Sequence, residues 1–138
     1  MYLSFRNATQ NDAALTHEIE KYSINQYADF FYENSSKMFN HDNIQIIELA
    51  NKGIGYLEIE EKNHSFEIIN ILIHKDYQNK GFGKYILQNL IRESQLKSKS
   101  IELQVLKNNP KAKRFYENSG FQVYHETDFE YKMKHSCN

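Results

Sequence analysis

Tryptophan is absent, proline and cysteine occur once each, and there are only five glycines in 138 residues. One cysteine, Cys137, excludes an intrachain disulfide and any cysteine-built metal cluster, so no metal is expected. A thiol on a fraying terminus is also a poor catalyst. No internal repeat, low-complexity tract or linker appears. No apolar run approaches membrane-spanning length. The opening residues, Met1-Tyr2-Leu3-Ser4-Phe5-Arg6, lack a signal-peptide core. A soluble, reducing, cytoplasmic setting with no membrane partner is the expectation. The formal charge of −1 provides no general field for drawing in nucleic acid, which argues against such a partner. Ten tyrosines and nine phenylalanines are the surplus, and they speak first for a core and only mildly for a stacking pocket. The length fits one compact domain, residues 1–138, burying roughly two-thirds of its unfolded surface.

The hydrophobic pattern divides the chain into alternating elements. Tyr2 to Ala8 reads as a strand. Asn11-Asp12 offers a helix cap before Leu15, Ile19 and Tyr22, which recur at helical spacing. Ile24, Tyr27 and Phe31 predict a second helix. Ile44 to Ala50 is a strand, and Asn51-Lys52-Gly53 a turn in which glycine supplies positive φ. Ile54 to Glu61 alternates, with Ile54, Tyr56, Glu58 and Glu60 on one face. Phe66 to His74 is nearly all apolar, the mark of a central strand covered on both faces. From Gly81 to about Ser98, Ile86, Leu87, Leu90 and Ile91 form a helical stripe. Ile101, Leu103 and Val105 alternate as the next strand, so residues 66–106 have the length of a parallel crossover. A short helix follows, with Asn109 at its cap, Pro110 in its first turn and Gly120 past its end. Phe121 to Glu126 and Phe129 to Met133 close the chain as an antiparallel pair. The order is β-α-α-β-β-β-α-β-α-β-β, a mixed sheet with helices packed on it: α/β, of the α+β kind.

Two stretches carry chemistry. Gln78-Asn79-Lys80-Gly81-Phe82-Gly83-Lys84 lies between an apolar strand and a helix and holds two of the five glycines. Glycine admits close approach and positive φ. The first helical turn has unpaired N–H groups and a partial positive charge. The loop can therefore bind a phosphate through its main chain, with Lys80 and Lys84 adding charge, or it can be an ordinary strand-to-helix turn. It is neither a P-loop nor a dinucleotide fingerprint, because the Gly-Lys-Ser/Thr and third-glycine signals are missing. The other stretch is Asn109-Pro110-Lys111-Ala112-Lys113-Arg114-Phe115-Tyr116, followed by Gly120-Phe121. Asn109, Ala112 and Tyr116 share one helix face. Taken alone they read equally as a cap, a packing residue and a core aromatic.

Together, Gln78-x-x-Gly81-x-Gly83 and Asn109-x-x-Ala112-x-x-x-Tyr116-x-x-x-Gly120-Phe121, in this order between strands, resemble the GNAT superfamily of acetyl-CoA-dependent N-acetyltransferases. The resemblance implies a single N-acetyltransferase domain whose mostly antiparallel sheet has splayed central parallel strands. Acetyl-CoA would be the acetyl donor and an amine the acceptor. The amides of Gln78, Asn79, Lys80, Gly81, Phe82, Gly83 and Lys84 would hold the coenzyme diphosphate. The main chain of Ile71, Leu72 and Ile73 would pair with the pantetheine arm, Asn109 would bond its amides, and Ala112 would lie beside it. Tyr116 would protonate the departing thiolate. Lys111, Lys113 and Arg114 could reach the outer phosphate.

Direct attack on a thioester needs a neutral amine, and an alkyl amine of pKa about 10.4 is almost wholly protonated at pH 7. Some family members use a glutamate eleven residues before the loop glutamine; Glu67 holds that place, and an apolar setting would make it a better base. Others carry a glutamate five residues before the asparagine, where this chain has Gln104. Glu58 and Glu60 are further acidic candidates. Tyr27, Phe31, Glu58 and Tyr131 are candidate acceptor-side residues. The rival expectations are a non-catalytic acetyl-CoA-binding module and a nucleotide-phosphate site at Gly81-Phe82-Gly83. Edge strands near the C-terminus could support a homodimer.

Overall fold

A computed structural model describes residues 2–24 and 40–136, with the backbone alone for residues 22–24. The second early helix, with Tyr27 and Phe31, lies outside the described residues, as does the side chain of Tyr22. The strands are β1 (Leu3–Asn7), β2 (Ile44–Leu49), β3 (Lys52–Glu61), β4 (Ser65–Ile73), β5 (Ser100–Leu106), β6 (Gln122–Glu126) and β7 (Glu130–His135). The described helices are α1 (Ala13–Ile24), α2 (Phe82–Leu96) and α3 (Pro110–Glu117). The strands form one sheet in the order β1-β2-β3-β4-β5-β7-β6. The apolar run of β4 is central, as its composition implies, although Ile69 keeps 43% of its surface. β4 and β5 are parallel, and the β1–β2, β2–β3, β5–β7 and β6–β7 pairs are antiparallel. The mixed, mostly antiparallel sheet expected from the sequence is present. The chain divides into two compact units, Met1–Glu58 with Asn70–Gly83, and Ile59–Ile69 with Lys84–Asn138.

In the first unit, Ala8, Ile19, Ile44, Ile46 and Tyr56 form a buried cluster completed by Leu15 and Leu72. Each large apolar side chain fully removed from water contributes about 1.5–3 kcal/mol. Thr9, rather than Asn11-Asp12, caps the entry to α1: its hydroxyl accepts the Asn11 amide at 3.3 Å while the Asp12 carboxylate accepts the Thr9 amide at 2.8 Å. Asp12 is buried and also takes two bonds from the Arg6 guanidinium, at 2.9 and 2.8 Å, while Arg6 Nε reaches Glu48 at 3.2 Å. The Arg6 bonds hold the Asp12 carboxyl down at about 2, against the cost of its burial. The β2–β3 reversal is made by Ala50 (φ 50°) and Asn51 (φ 65°), so positive φ falls there and not at Gly53, which lies inside β3 opposite Glu48. Gly55 is required for another reason: a Cβ there would sit 2.4 Å from the Leu72 carbonyl oxygen.

In the second unit, Phe66, Ile68, Ile86, Leu87, Ile101, Leu103, Val105, Phe121 and Met133 are buried. The alternation of β5 produces this pattern, with Ile101, Leu103 and Val105 inward and Gln104 exposed. β7 inserts between β5 and β6, from Ile101↔His135 to Leu106↔Glu130. The β6–β7 register shifts between Val123 and His125, so Tyr124 and His125 both oppose Lys132. Lys97 and Lys99 reach Glu61 and lie 5.4 and 5.3 Å from the Phe66 ring, which fixes one end of the unit.

Candidate active site

The loop before α2 belongs to the first unit. His74 donates its amide to Ile54 at 2.7 Å and Tyr77 to His74 at 2.8 Å, forming a 3-10 turn over Lys75–Tyr77. The Gln78 amide then reaches Lys75 at 3.4 Å, and the Gln78 side-chain nitrogen donates to the Ile73 carbonyl at 2.9 Å. From there the backbone turns outward: Asn79 has φ 62° and Gly81 φ 84°. A left-handed residue suits asparagine and glycine, and a Cβ on Gly81 would meet nothing within 4 Å, so the conformation and not crowding selects glycine. Among the described residues, no hydrogen bond takes up the amides of Asn79, Lys80 or Gly81. The amides opening α2, from Phe82 to Lys84, lack partners by helix geometry. Gln78 to Gly81 and Lys84 are exposed, and Phe82 anchors the helix start in the interior. A run of free N–H groups at a helix start with nearby ammonium groups is a phosphate-binding arrangement.

Ile71, Leu72 and Ile73, half-buried at the end of β4, lead into this loop. The parallel ladder between β4 and β5 runs only from Ser65↔Ser100 to Ile68↔Leu103. Glu58 accepts from the Asn70 side-chain amide at 2.9 Å, across the strand pair. The hydroxyl of buried Tyr56 donates to Glu20 at 2.7 Å. Burial first, then the Glu20 charge, pushes that phenol well up.

In the second unit, Asn109 caps α3, its Oδ1 accepting the Ala112 amide at 3.0 Å. The cap is therefore real, and it uses the oxygen alone; among the described residues nothing accepts from the Asn109 side-chain NH2. Ala112 is half-buried behind it. Tyr116 packs against Phe115 and Phe121, with ring centroids 5.1 and 5.5 Å apart. The residue keeps part of its surface, yet removal of the phenol from water pushes it up to about 12. Its hydroxyl has no hydrogen-bond partner among the described residues, in contrast to Tyr56.

Glu67 stands among charged groups and not in the apolar setting that would make it a better base. Strand alternation turns it to the face carrying Glu102, its partner in the parallel register, and Lys62 donates to its Oε2 at 2.7 Å. Glu67, Lys62, Glu102, Gln104, Tyr124 and Lys132 line a cavity of about 180 Å³. Tyr131 presents its ring to Lys107 and Lys113, 5.4 and 4.8 Å away, so its surface is taken up by cations. Lys62, Glu102, Tyr124 and Lys132 line this cavity without having been singled out in the sequence. The alternation of β5 implies that Glu102 and Gln104 share a face; the bulge at Tyr124 leaves no such signature.

The description "Acetyltransferase (GNAT) domain" matches residues 40–123. A probable spermine N(1)-acetyltransferase of Bacillus subtilis subsp. natto is 39% identical over 72 residues, covering 51% of this chain and 47% of the relative. The chain thus spans about half the length of that curated relative. Among solved structures, the PaiA N-acetyltransferase of Thermoplasma acidophilum in complex with coenzyme A superposes with a TM-score of 0.77 at 19% identity, covering 99% of both chains. The ribosomal-protein-S18-alanine N-acetyltransferase of Escherichia coli gives 0.70 at 19%, covering 99% of this chain and 95% of its own. At these identities the likeness is one of fold.

Proposed function

The chain belongs to the GNAT family of acetyltransferases, and on that premise we propose that it moves an acetyl group from acetyl-CoA to a primary amine, as a single domain over residues 1–138. In the first unit the amides of residues 79–83 hold the diphosphate, with the Lys80 ammonium adding charge; the Lys84 amide, which opens the second unit's part of the chain, continues the run. The main chain of Ile71 to Ile73 pairs with the pantetheine arm. In the second unit the Asn109 NH2 donates to that arm, Ala112 leaves room beside it, and Tyr116 faces the sulfur. The observation that carries this reading is the set of unconsumed amides at Asn79, Lys80 and Gly81 directly ahead of α2.

In the reaction the neutral amine nitrogen attacks the thioester carbon, a C–N bond forms, and the carbonyl electron pair moves to oxygen. The pair returns, the C–S bond breaks, and sulfur leaves with the bonding electrons. The proton lost by nitrogen passes to a base, for which Glu67 is the candidate, and one proton reaches sulfur. A phenol at about 12 is fully protonated at neutral pH, the form an acid needs. Full transfer to a thiolate of ordinary pKa about 8.5 is uphill by roughly 3–4 units. Tyr116 therefore first stabilises the growing negative charge as a hydrogen-bond donor, and the proton moves as that charge peaks.

The Lys62 ammonium on Glu67 favours a second reading, a coenzyme-binding module without turnover. Thiol release with an amine panel separates the two. Under the first reading, saturating acetyl-CoA raises Tm while ATP does not, because a ligand at 100 times its Kd adds about 2.7 kcal/mol. Equal shifts would point to a general phosphate site. No described helix is long and apolar enough to cross a membrane, and a cytoplasmic location is proposed with the function. The wholly exposed β6 would be the surface for a second copy, if one binds.

A further inference from the structure

The cavity at Glu67 is lined by opposing charges in a fixed order. Glu67 and Glu102 are neighbours in the parallel register, and Gln104 and Lys132 are neighbours in the antiparallel one. The carboxylates therefore form one row, and Lys132 stands one strand over and two residues along. With 3.3 Å per residue and 4.8 Å between strands, Glu102 and Lys132 have Cα atoms roughly 8 Å apart. Lys62 is engaged by Glu67. Lys132 is half-buried and has no ion-pair or hydrogen-bond partner among the described residues. The bulge sets Tyr124 and His125 opposite it.

A polycation entering this space would gain the two carboxylates but would meet two ammonium groups. The ammonium groups repel a polycation and attract a carboxylate, so a balanced lining favours a balanced ligand. The volume of about 180 Å³ lies below the roughly 300 Å³ at which typical small-molecule pockets begin, so the ligand is small. We propose that this cavity seats the acceptor, and that the acceptor is a small amine that also bears a carboxylate: the carboxylate on Lys132, the nitrogen beside Glu67 and Glu102. The inference rests on the reading of the chain as an acetyltransferase with Glu67 at the reacting amine, and it narrows the acceptor to aminocarboxylates.

Matched pairs that differ only in the carboxylate test it: L-alanine against ethylamine, and L-ornithine against putrescine, each followed by thiol release from acetyl-CoA. Each amino acid should exceed its decarboxylated partner at least tenfold in kcat/KM, mainly through KM. Lys132→Met should erase that preference by raising KM for the amino acids alone, and Lys132→Arg should keep it. Putrescine equal to or better than L-ornithine would overturn the proposal, as would a Lys132→Met loss shared equally by both members of a pair. If neither pair turns over, calorimetric titration of L-ornithine and of putrescine into the coenzyme A-saturated protein decides. Saturable binding of L-ornithine alone sustains the cavity assignment, and absence of binding rejects it. The acetyl-CoA thermal shift judges the coenzyme site separately, and thiol release across the wider amine panel judges the transferase reading.

Discussion

Tyr56 and Tyr116 are two phenols, one in each unit; both are pushed up by burial, although Tyr116 keeps part of its surface. Tyr56 spends its proton on Glu20 inside a packed cluster of isoleucines and so behaves as a brace. Tyr116 packs its ring against Phe115 and Phe121 and leaves its hydroxyl uncommitted. Burial raises a pKa in both cases, but an unspent donor is what makes a buried phenol available for chemistry.

The sharpest way to break this contrast is Tyr116→Phe. It should lower kcat on the order of 100-fold, within the range for losing a general acid, while Tm and acetyl-CoA affinity stay near those of the parent. Steady-state rates set beside a melting curve check this, and an unchanged kcat removes Tyr116 from the reaction. Gly55→Ala comes next. The added methyl meets the Leu72 main chain, which cannot swing aside, so a stability loss of about 1–3 kcal/mol is expected in denaturant unfolding. Weaker acetyl-CoA binding should accompany it, because Leu72 is in the strand assigned to the pantetheine arm.

Asp12 supplies the pH arm of the comparison. Its folded pKa, about 2, lies below the usual carboxylate value of about 3.9, so the native state favours the ionised form. That stabilisation is fully present above about pH 4 and is lost as pH falls toward 2. Asp12→Asn should lower stability by about 1–2 kcal/mol at neutral pH, discounted because Arg6 is 41% exposed, and should flatten the acid limb of a Tm–pH curve. The smallest effect belongs to Tyr56→Phe, a loss of about 1 kcal/mol with kcat intact. A kcat loss there matching that of Tyr116→Phe would erase the distinction between the two phenols.

The features legible in the sequence were those set by short-range chemistry. The apolar run from Phe66, the stripe on α2, the cap at Asn109 and the Gln78–Lys84 loop each declare themselves within a dozen residues. Partners far apart in sequence stayed hidden. The insertion of β7 between β5 and β6 joins residues about thirty apart, and the cavity exists only once Lys132 is registered against Gln104. Gly53 looked like the turn residue because glycine is the usual source of positive φ, but Ala50 and Asn51 adopt it instead. The charged neighbours of Glu67 stayed hidden too, because spacing along one strand says nothing about Lys62 or Glu102.

The bond from the Ala112 amide to Asn109 Oδ1 sets two independent demands on one residue. An aspartate would serve the helix just as well, since a carboxylate oxygen closes the same turn and suits the positive end of the dipole. It would carry no hydrogen to offer outward, and would present repulsion where the amide offers attraction. Folding alone therefore cannot discriminate between these two nearly isosteric side chains, and any preference for the amide must come from what the chain binds.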